Sequence, residues 1–299
     1  MQSAAGPLLT AAAFAVTLVL VGCAAESAPV RAPDAPGSTS VVPPSPPSTA
    51  TPTAPVRSPG PTPTPSPRPG PPSWVGDQRN AVAFAPLDDP TDVTVEGRVA
   101  SAEAWSTSKV LVVAAFLDTV VDGRPDRLTS TQRGLVERAL SRSDGDAVAE
   151  LRAAIPGRPA RAMTAVLRSV GDRSTTAPDR YEGLMSWSVR EQVRFVAALA
   201  SGDVVSPAAS DYLLESMQPI EEHAWGLGTI GASAYKGGWL RDDRVTRQLG
   251  IVDGYAVAVI TDGVGPAVVQ TDGDAAHVRQ MDRLAAQLAE RLAAEHPAR

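Results

Sequence analysis

A proline-rich segment limits where this chain can build a folded core. Of its 28 prolines, 17 lie between Pro29 and Pro72, interleaved with Ser, Thr, Ala and Gly. A segment of this composition lacks the apolar side chains of a core and favours an extended, solvated chain. At about 3.1 Å per residue in polyproline II form, it would reach on the order of 100 Å. The composition therefore predicts a disordered linker at residues 23–73 and a folded domain at residues 74–299.

The N-terminal end has the features of an export signal. Residues 8–21 form an apolar run too short to span a bilayer comfortably, followed by small and polar residues. The four residues LVGC that end at Cys23 resemble the lipobox of bacterial lipoproteins, in which the cysteine thiol is acylated with diacylglycerol. We therefore expect a signal peptide at residues 1–22 and a lipidated Cys23 that anchors the chain to the extracytoplasmic face of the bacterial cell membrane. The alternative is an ordinary cleaved signal in which Cys23 has no role.

Charge and cysteine content exclude several classes of protein. Cys23 is the single cysteine, so the exported domain has no disulfide. The net charge of −6 includes no long run of either sign, which gives no support for nucleic acid as a partner. The histidines are scattered without the spacing of metal ligands, and two of them belong to a helix on the side expected to face solvent; the three are His223, His277 and His296. We therefore expect no metal and no other cofactor.

Periodic apolar patterning begins after the linker. Residues 80–85 and 93–99 alternate as strands do, which predicts a hairpin. Residues 107–121 are apolar nearly all round, which indicates a buried helix. Further helical patterns follow at residues 130–140, 146–155, 160–170, 189–200 and 207–217.

The C-terminal part of the chain returns to strands. Patterns of strands at residues 234–240, 245–252 and 255–261 precede a final helix that Asp274 can cap, and an Asp-Gly turn joins the last two strands. The order of strands, helices, strands and helix predicts an α/β fold. In it, an antiparallel sheet built from both chain ends is flanked by helices and surrounds an inserted helical lobe.

Lysine is rare in this chain, and its position invites a chemical explanation. The 27 basic side chains are 25 arginines and two lysines, Lys109 and Lys236. Ser106 and Lys109 are three residues apart at the start of the buried helix, so their side chains share a face. Burial lowers the pKa of an amine, so a fraction of Lys109 can be neutral near pH 7 and accept the serine proton, which an arginine cannot do. The alternative is a lysine that snorkels from a helix end.

Three short motifs resemble those of the serine penicillin-recognising superfamily, which contains the class A β-lactamases and D,D-peptidases. That superfamily has Ser-x-x-Lys at the start of a buried helix, Ser-Asp-Asn in a loop of the helical lobe and Lys-Thr-Gly on the strand that lines the cleft. Here the motifs occur in the same order, as Ser106-Thr107-Ser108-Lys109, Ser143-Asp144-Gly145 and Lys236-Gly237-Gly238. Segments of the C-terminal strands also resemble actinobacterial serine-hydrolase-like proteins. The resemblance covers most of residues 75–299 and implies the two-lobe β-lactamase-like fold.

The resemblance also implies a role for each motif residue. Ser106 would be the acylated nucleophile, and Lys109 would be its base or proton relay. Ser143 would pass a proton to the leaving amine, while Lys236 would hold Ser143 and attract a substrate carboxylate. The backbone N–H groups of Ser106 and Trp239 would form the oxyanion hole. The residues on the lysine strand that would bind the substrate are Gly237, Gly238 and Trp239.

Two motif positions depart from the superfamily pattern because they lack side chains. Gly145 replaces an Asn whose amide contacts the acylamide of the substrate, and Gly237 replaces a Thr or Ser whose hydroxyl helps to bind the substrate carboxylate. Each loss removes a hydrogen bond worth roughly 1 to 3 kcal/mol if it contacts charge or is buried. Asp146 is a candidate substitute for the missing amide, but a carboxylate cannot donate the same hydrogen bond. Recognition of penicillin-like ligands should therefore weaken.

A candidate base for hydrolysis of the acyl-enzyme lies farther along the chain. The segment Asp179-Arg180-Tyr181-Glu182 resembles the one that carries this carboxylate in class A β-lactamases, with Glu182 in the base position. The Asn that usually follows on the same loop is not present. The alternative is that Glu182 is a surface glutamate, which is the common situation for this residue type.

Two functions are consistent with these residues. The first is a lipid-anchored, extracytoplasmic serine hydrolase-like protein that forms an acyl-enzyme with an unknown amide or ester of the cell envelope, peptidoglycan-related or a small acyl compound, and acts weakly on β-lactams. The second is a catalytically inactive binding or scaffold lipoprotein with the same fold. The intact Ser-x-x-Lys motif favours the first, and the two glycines favour the second.

Overall fold

The computed structural model describes residues 73–76, 79–99, 101–240, 244–264 and 276–295. The predicted signal peptide, Cys23 and nearly all of the predicted linker lie outside these residues, as do Asp274 and His296. In the described part, no helix is both long and apolar enough to cross a membrane.

A five-stranded antiparallel sheet, in the order β2-β1-β7-β6-β5, forms the frame of the domain. It combines strands from both chain ends, as the alternating patterns predict, and the turn between β6 and β7 has Asp253 and Gly254 at φ 46° and 81°, as a tight hairpin requires. A separate pair, β3 and β4, forms a small second sheet. The strands are β1 (Asn80–Pro86), β2 (Thr94–Gly97), β3 (Ser101–Glu103), β4 (Ser186–Ser188), β5 (Ala234–Trp239), β6 (Thr246–Val252) and β7 (Tyr255–Thr261).

Among the described residues, seven helices accompany the sheet, each in a region whose apolar pattern predicts one. They are α1 (Lys109–Val121), α2 (Ser130–Ser141), α3 (Gly145–Ala154), α4 (Pro159–Ser169), α5 (Val189–Ala200), α6 (Pro207–Ser216) and α7 (Ala276–Glu295). The predicted α/β architecture, an antiparallel sheet from both chain ends flanked by helices, is therefore confirmed.

The alternation along the strands gives the sheet two apolar faces. In β1, Val82 and Phe84 belong to the core that α7 covers, whereas Ala81, Ala83 and Ala85 belong to the larger core beneath α1 and α5. Small side chains on the second face allow helices to approach the sheet closely. The apolar stripe of α7 is buried as its spacing predicts, through Val278, Met281, Leu284, Leu288 and Leu292.

Helix α1 is the centre of the larger core. Its residues 110–117 are fully buried, and it packs against α3, α4 and α6. A helix that is apolar on every side needs neighbours on every side, and the helices inserted between the two groups of strands supply them. The motif from Ser106 to Lys109 therefore stands at the N-terminal end of this buried helix.

A buried arginine joins the main sheet to the small sheet. The guanidinium of Arg247, on β6, donates to the backbone carbonyls of Ala102 and Glu103 at 2.8 and 3.0 Å and to that of Trp187 at 2.7 Å. Strands β3 and β4 are three residues long and carry too short an alternation to be predicted from the sequence. Arg247 holds β3 in position, and β3 leads directly into the motif from Ser106 to Lys109.

Candidate active site

The candidate nucleophile lies on a 3₁₀ turn, Trp105–Ser108, that leads into α1. The sequence predicts a helix from residue 107, with Ser106 at its first turn, whereas α1 itself begins at Lys109. Since residues three apart eclipse one another in a 3₁₀ turn, Ser106 and Lys109 still share a face. Trp105 has φ 44°, a conformation that costs a residue with a side chain about 1 kcal/mol or more and that is concentrated at functional sites.

Gly238 allows β5 to lie against the 3₁₀ turn that carries Ser106. A Cβ at this position would be 2.8 Å from the carbonyl oxygen of Ala104, 2.8 Å from the amide nitrogen of Thr107 and 3.0 Å from that of Ser106. These distances are too short for any side chain, and all three contacts are with backbone. A glycine is therefore required at 238 for the strand and the turn to meet.

The geometry of β5 directs the N–H of Trp239 toward the free edge of the sheet. The N–H of Tyr235 donates away from β6, to the carbonyl of Met217 at 3.0 Å. Backbone N–H groups alternate in direction along a strand, so the N–H of Trp239, four residues later, points the same way. Together with the closeness of Gly238 to the Ser106 nitrogen, this places both predicted oxyanion-hole donors at one edge.

Both lysines of the chain converge on Ser143. The Lys109 amine donates to the Ser143 carbonyl at 2.5 Å and to its Oγ at 3.5 Å. The Lys236 amine donates to the same Oγ at 2.9 Å and to the carbonyl of Gly237 at 2.9 Å. Ser143 itself has φ 58°, which turns the chain sharply before Asp144 caps α3 through the N–H groups of Asp146 and Ala147.

Burial sets the charge of the two amines. Lys109 is 7 % exposed and Lys236 is 2 % exposed. Desolvation lowers the pKa of Lys109 to about 8, against an opposing effect of the carboxylates of Glu182 and Asp144. Desolvation, and then the charge of Lys109, lower the pKa of Lys236 well below its ordinary value. Amines with lowered pKa values can carry protons near neutral pH in a way that arginine cannot.

The lowered pKa makes stability depend on pH. In the unfolded chain Lys109 titrates near 10.5, and in the folded protein near 8, so the folded state binds fewer protons between these values. The destabilisation from its buried charge is therefore complete below about pH 8 and is lost as pH rises toward 10.5. We expect Lys109→Met to raise the free energy of unfolding by about 2 kcal/mol at pH 7. The gain should disappear near pH 10.5 in denaturant titrations; a gain independent of pH would contradict this.

The hydroxyl of Ser106 has no hydrogen-bond partner among the described residues, because the amine of Lys109 is turned toward Ser143. Catalytic hydrogen bonds are often long in free enzymes and shorten when substrate binds. Ser106 and Lys109 nevertheless line the same cleft. The structure therefore brings Ser106 and Lys109 to one cleft without a hydrogen bond between their side chains.

Glu182 belongs to the cleft rather than to the outer surface. It lies on the short 3₁₀ turn Glu182–Leu184, lines the cleft with Ser106 and Lys109, and has a side chain that is 12 % exposed. Arg152 of α3 pairs with it at 3.5 Å. Tyr181, immediately before it, has φ 56°. The interpretation of Glu182 as an ordinary exposed glutamate is therefore wrong, whereas its role as a base stays a prediction.

The cleft has a volume of about 450 Å³, within the usual range for small-molecule sites. Its lining consists mostly of aromatic and aliphatic side chains. It is formed by Trp105, Ser106, Ser108, Lys109, Gly145, Val148, Tyr181, Glu182, Gly183, Leu184, Trp239 and Leu240.

The two glycines that depart from the superfamily pattern differ in their surroundings. A Cβ at Gly145 would have no neighbour within 4 Å, so this position opens onto the cleft. A Cβ at Gly237 would be 3.1 Å from the indole ring of Trp239 and 3.4 Å from that of Trp225. Asp146 is exposed and is not among the residues that line the cleft, so it does not replace the missing amide.

Two histidines have ring contacts with Trp239 of β5 and with Trp225, which lies before β5 in the chain. His223 is buried with its ring 4.9 Å from that of Trp239, and burial followed by the charge of Lys236 lowers its pKa. His277 is fully buried 6.4 Å from the ring of Trp225, so its expected solvent-facing position is wrong. In the described residues, no group of His, Cys, Asp or Glu side chains is arranged to hold a metal ion.

Several cleft residues carry no motif and cannot be found by spacing alone. Val148, Leu184 and Leu240 are ordinary apolar residues in the sequence, and only the fold brings them to Ser106. The one sequence signal for these cleft residues is that they lie next to predicted site residues. Tyr181 and Leu184 flank Glu182, and Leu240 follows Trp239.

Comparison with known proteins shows the fold. No protein-family model and no curated protein matches the chain. Among solved structures, the TLA-3 extended-spectrum β-lactamase has a TM-score of 0.56 at 14 % identity, over 72 % of this chain and 93 % of that one. A β-lactamase from Chitinophaga pinensis has a TM-score of 0.56 at 17 % identity, over 71 % and 93 %. The structure of PBP-A has a TM-score of 0.52 at 20 % identity, over 71 % and 90 %.

These neighbours show a β-lactamase-like fold, which is the fold that the resemblance of the three motifs implies. At this level of identity the comparison establishes the architecture, while the chemistry depends on the residues of the cleft.

The charge of Glu182 gives a prediction for the pH dependence of the site. Since this carboxylate raises the pKa of Lys109, Glu182→Gln should move the pH profile of Ser106 acylation to lower pH. If Glu182 also activates the hydrolytic water, the same change should slow loss of the acyl group by about 100-fold or more. Glu191→Gln is a matched control, because Glu191 is 13 % exposed and paired with Arg194 at 2.8 Å but does not line the cleft. Intact-mass time courses at several pH values measure both effects; an unchanged acylation profile would contradict the electrostatic argument.

Proposed function

We propose that this protein is a lipid-anchored, extracytoplasmic serine hydrolase that forms an acyl-enzyme at Ser106 with an amide or ester of the cell envelope. The observation that carries the proposal is the convergence of both lysines on Ser143 beside a cleft that contains Ser106. Two amines buried near one another disfavour their charged forms. Such a cost is typical of a site selected for proton transfer rather than stability.

In this proposal, acylation uses Ser106, the two lysines, Ser143 and two backbone N–H donors. The neutral amine of Lys109 takes the proton of Ser106, directly or through Ser143, and the Ser106 oxygen attacks the substrate carbonyl. The N–H groups of Ser106 and Trp239 stabilise the oxyanion. When the bond to the leaving group breaks, Ser143 donates a proton to that group and is reprotonated from the lysines. Water then hydrolyses the new ester, with Glu182 as the base that accepts its proton.

Intact mass after incubation with acylating probes tests this proposal. We expect an activated acyl ester, and more weakly a fluorescent penicillin, to add one acyl group to the purified protein. The adduct should be lost in Ser106→Ala and retained in Ser108→Ala, which removes a neighbouring hydroxyl bonded to the carbonyl of Trp105. The absence of an adduct with either probe would remove the hydrolase proposal.

The second candidate is a binding or scaffold lipoprotein that has lost turnover. Gly145 and Gly237 favour it, because both positions lack groups that hold the substrate in the superfamily pattern. Under this candidate, ligands bind in the cleft but Ser106 is never acylated, so the mass measurement separates the two functions.

Membrane anchoring through Cys23 is tested independently of the cleft. We expect Cys23→Ser to release the protein from the membrane fraction of a bacterial host that processes lipoproteins. Unchanged membrane retention would contradict the lipobox interpretation and would leave the acylation chemistry untouched.

Gly145→Asn should partly restore recognition of β-lactams. Position 145 opens onto the cleft with no neighbour within 4 Å of a Cβ and no positive φ, so an asparagine fits without strain. A recovered amide hydrogen bond of about 1 to 1.5 kcal/mol would raise the rate of penicillin acylation by about tenfold. Gly134→Asn is the matched control, since Gly134 also has open space but lies on α2 outside the cleft. An equal rate in the two variants would show that the missing amide is not what limits β-lactam recognition.

A further inference from the structure

Three exposed apolar side chains surround the Ser106 cleft. Tyr181, Leu184 and Leu240 are 68 %, 56 % and 45 % exposed, and all three line the cleft. Within the described residues, one other large apolar side chain has comparable exposure, Val95 at 36 %, and it lies on β2 at the opposite edge of the sheet from β5. Exposed apolar patches mark surfaces that bind something. The grouping of three such side chains beside a nucleophile indicates a ligand that covers them.

The wall of the cleft continues this apolar surface inward. Trp105, Val148 and Trp239 contribute to it, while its charged side chains are Lys109 and Glu182, one of each sign. Opposite charges close together offset each other, so the lining offers little attraction to an anion.

The ring of Trp239 crowds the position of the group that would bind a substrate carboxylate. A Cβ at position 237 would be 3.1 Å from this ring, so a hydroxyl-bearing residue there would require the indole to move by a few tenths of an ångström. Edge contacts with Trp225 at 5.5 Å and His223 at 4.9 Å hold the indole in place.

The Lys236 amine, the other group that could bind a substrate carboxylate, is also buried away from the cleft. The Lys236 amine lies 5.9 Å from the centre of the Trp239 ring and donates to Ser143 and Gly237. It is 2 % exposed and does not line the cleft. Among the described residues, Lys109 is the one cation of the cleft lining and Glu182 opposes its charge, so a carboxylate entering this cleft would lose its hydration without gaining an uncompensated cationic partner.

We propose that the cleft accepts uncharged substrates with an apolar acyl group, and that Trp239 is the residue that excludes carboxylate-bearing ones. The inference rests on the proposed function, because it names the substrate class of the same site. In the reaction, the Ser106 oxygen forms an ester with the apolar acyl group, the bond to the alcohol or amine leaving group breaks, and the leaving group departs with the proton that Ser106 gave up. Water then releases the carboxylic acid and restores Ser106, so no further reactant is needed.

Three esters with a common acyl length test the proposal on the purified protein. Phenyl hexanoate is uncharged, 3-carboxyphenyl hexanoate carries a carboxylate on the leaving group, and monophenyl adipate carries one at the end of the acyl chain. We expect phenyl hexanoate to acylate Ser106 at least about tenfold faster than either charged ester, corrected for the reactivity of each ester in hydroxide. Equal or faster acylation by a charged ester would overturn the proposal while leaving the hydrolase function in place.

Binding without catalysis separates failure of this inference from failure of the proposed function. In Ser106→Ala, tryptophan fluorescence can report binding of hexananilide and of its analogue with a terminal carboxylate, because Trp105 and Trp239 line the cleft. We expect the uncharged anilide to bind at least about tenfold more tightly. If it does so while no ester acylates the wild-type protein, the substrate class stands and the hydrolase function fails. If neither anilide binds, or the charged one binds more tightly, the inference is wrong.

Two sets of variants test which residues cause the preference for uncharged, apolar substrates. They change Trp239 and the apolar rim of the cleft, which consists of the exposed side chains Tyr181, Leu184 and Leu240. Leu184→Ser and Leu240→Ser should each lower the ratio of hexanoyl to acetyl ester rates by a few-fold, and the double variant by about tenfold. Val95→Ser is the matched control, because it removes an exposed apolar side chain far from the cleft. Trp239→Ala keeps the backbone N–H and should reduce discrimination against 3-carboxyphenyl hexanoate, and Trp239→Phe should keep most of it. Unchanged ratios in the rim variants would show that the exposed side chains do not contact the acyl group.

Discussion

Acylation of Ser106 is expected to slow by about 10²- to 10⁴-fold when Lys109 is replaced by arginine. Arginine remains protonated at every pH of interest, so it cannot accept the proton of Ser106. Its guanidinium can still donate to the carbonyl and hydroxyl of Ser143, which the Lys109 amine contacts at 2.5 and 3.5 Å. The loss therefore falls on proton transfer, whereas the positive charge and its hydrogen-bond partner are kept.

The pH profile distinguishes this mechanism from a steric effect. Because the base must be neutral, the wild-type acylation rate should rise with pH and level off above the pKa of Lys109, about 8. In Lys109→Arg the low residual rate should show no such rise in that range. Arg124→Lys, an exchange of the same two residue types at an exposed site, should behave as the wild type. Acylation of Lys109→Arg at the wild-type rate would contradict a neutral lysine as the base.

Most of the fold could be predicted because its elements follow simple apolar periods. The strands at both chain ends alternate, α1 is apolar on every side and α7 carries one stripe, and each of these patterns favours one kind of element. Strands β3 and β4 could not be predicted, since three residues cannot show a period. Their position depends on Arg247, whose partners are backbone carbonyls that no side-chain pattern reveals.

The candidate site was predictable where chemistry restricts the residue type. Lysine is required where an amine must lose a proton, and in a chain rich in arginine the two lysines were therefore visible. A glycine is needed at 238 because β5 contacts the 3₁₀ turn that carries Ser106. At 237 the crowding comes instead from the ring of Trp239, which the sequence does not show. Apolar cleft residues such as Leu184 and Leu240 carry no signal of this kind, because leucine is as common in cores as in clefts.

The fold and the cleft therefore set different limits on function. In the proposed function, the fold supplies the groups for acyl transfer, which are a serine, two amines and two backbone donors near β5. Substrate choice depends on the surrounding side chains, and here Trp239 and the apolar rim take the place of the polar groups in the superfamily motifs. Two residues that line the cleft, Trp105 and Tyr181, have positive φ, as does Ser143, which the Lys109 amine contacts, and such strain is concentrated at functional sites.

Replacing Arg247 with alanine is expected to lower the free energy of unfolding by about 3 to 5 kcal/mol. The guanidinium is fully buried, and burial lowers its pKa below the ordinary value for arginine, so its charge is a cost in the folded state. That cost is offset by three charge-assisted hydrogen bonds to Ala102, Glu103 and Trp187. Removing the side chain relieves the charge but leaves a cavity and takes the donor from the buried carbonyl of Trp187 and from the part-buried carbonyls of Ala102 and Glu103. Each buried group left unpaired costs about 1 to 3 kcal/mol.

Denaturant unfolding with three variants tests this balance and its link to the site. Arg247→Lys keeps the positive charge but lacks the planar guanidinium that reaches all three carbonyls. We therefore expect an intermediate loss of unfolding free energy. Arg124→Ala removes an exposed arginine paired with Asp126 and should leave the unfolding midpoint close to that of the wild type. Because β3 leads into the nucleophile turn, Arg247→Lys should also lower the acylation rate under conditions where it is fully folded. A wild-type unfolding midpoint in Arg247→Ala would show that the three carbonyls find other donors and that this arginine does not hold β3 in place.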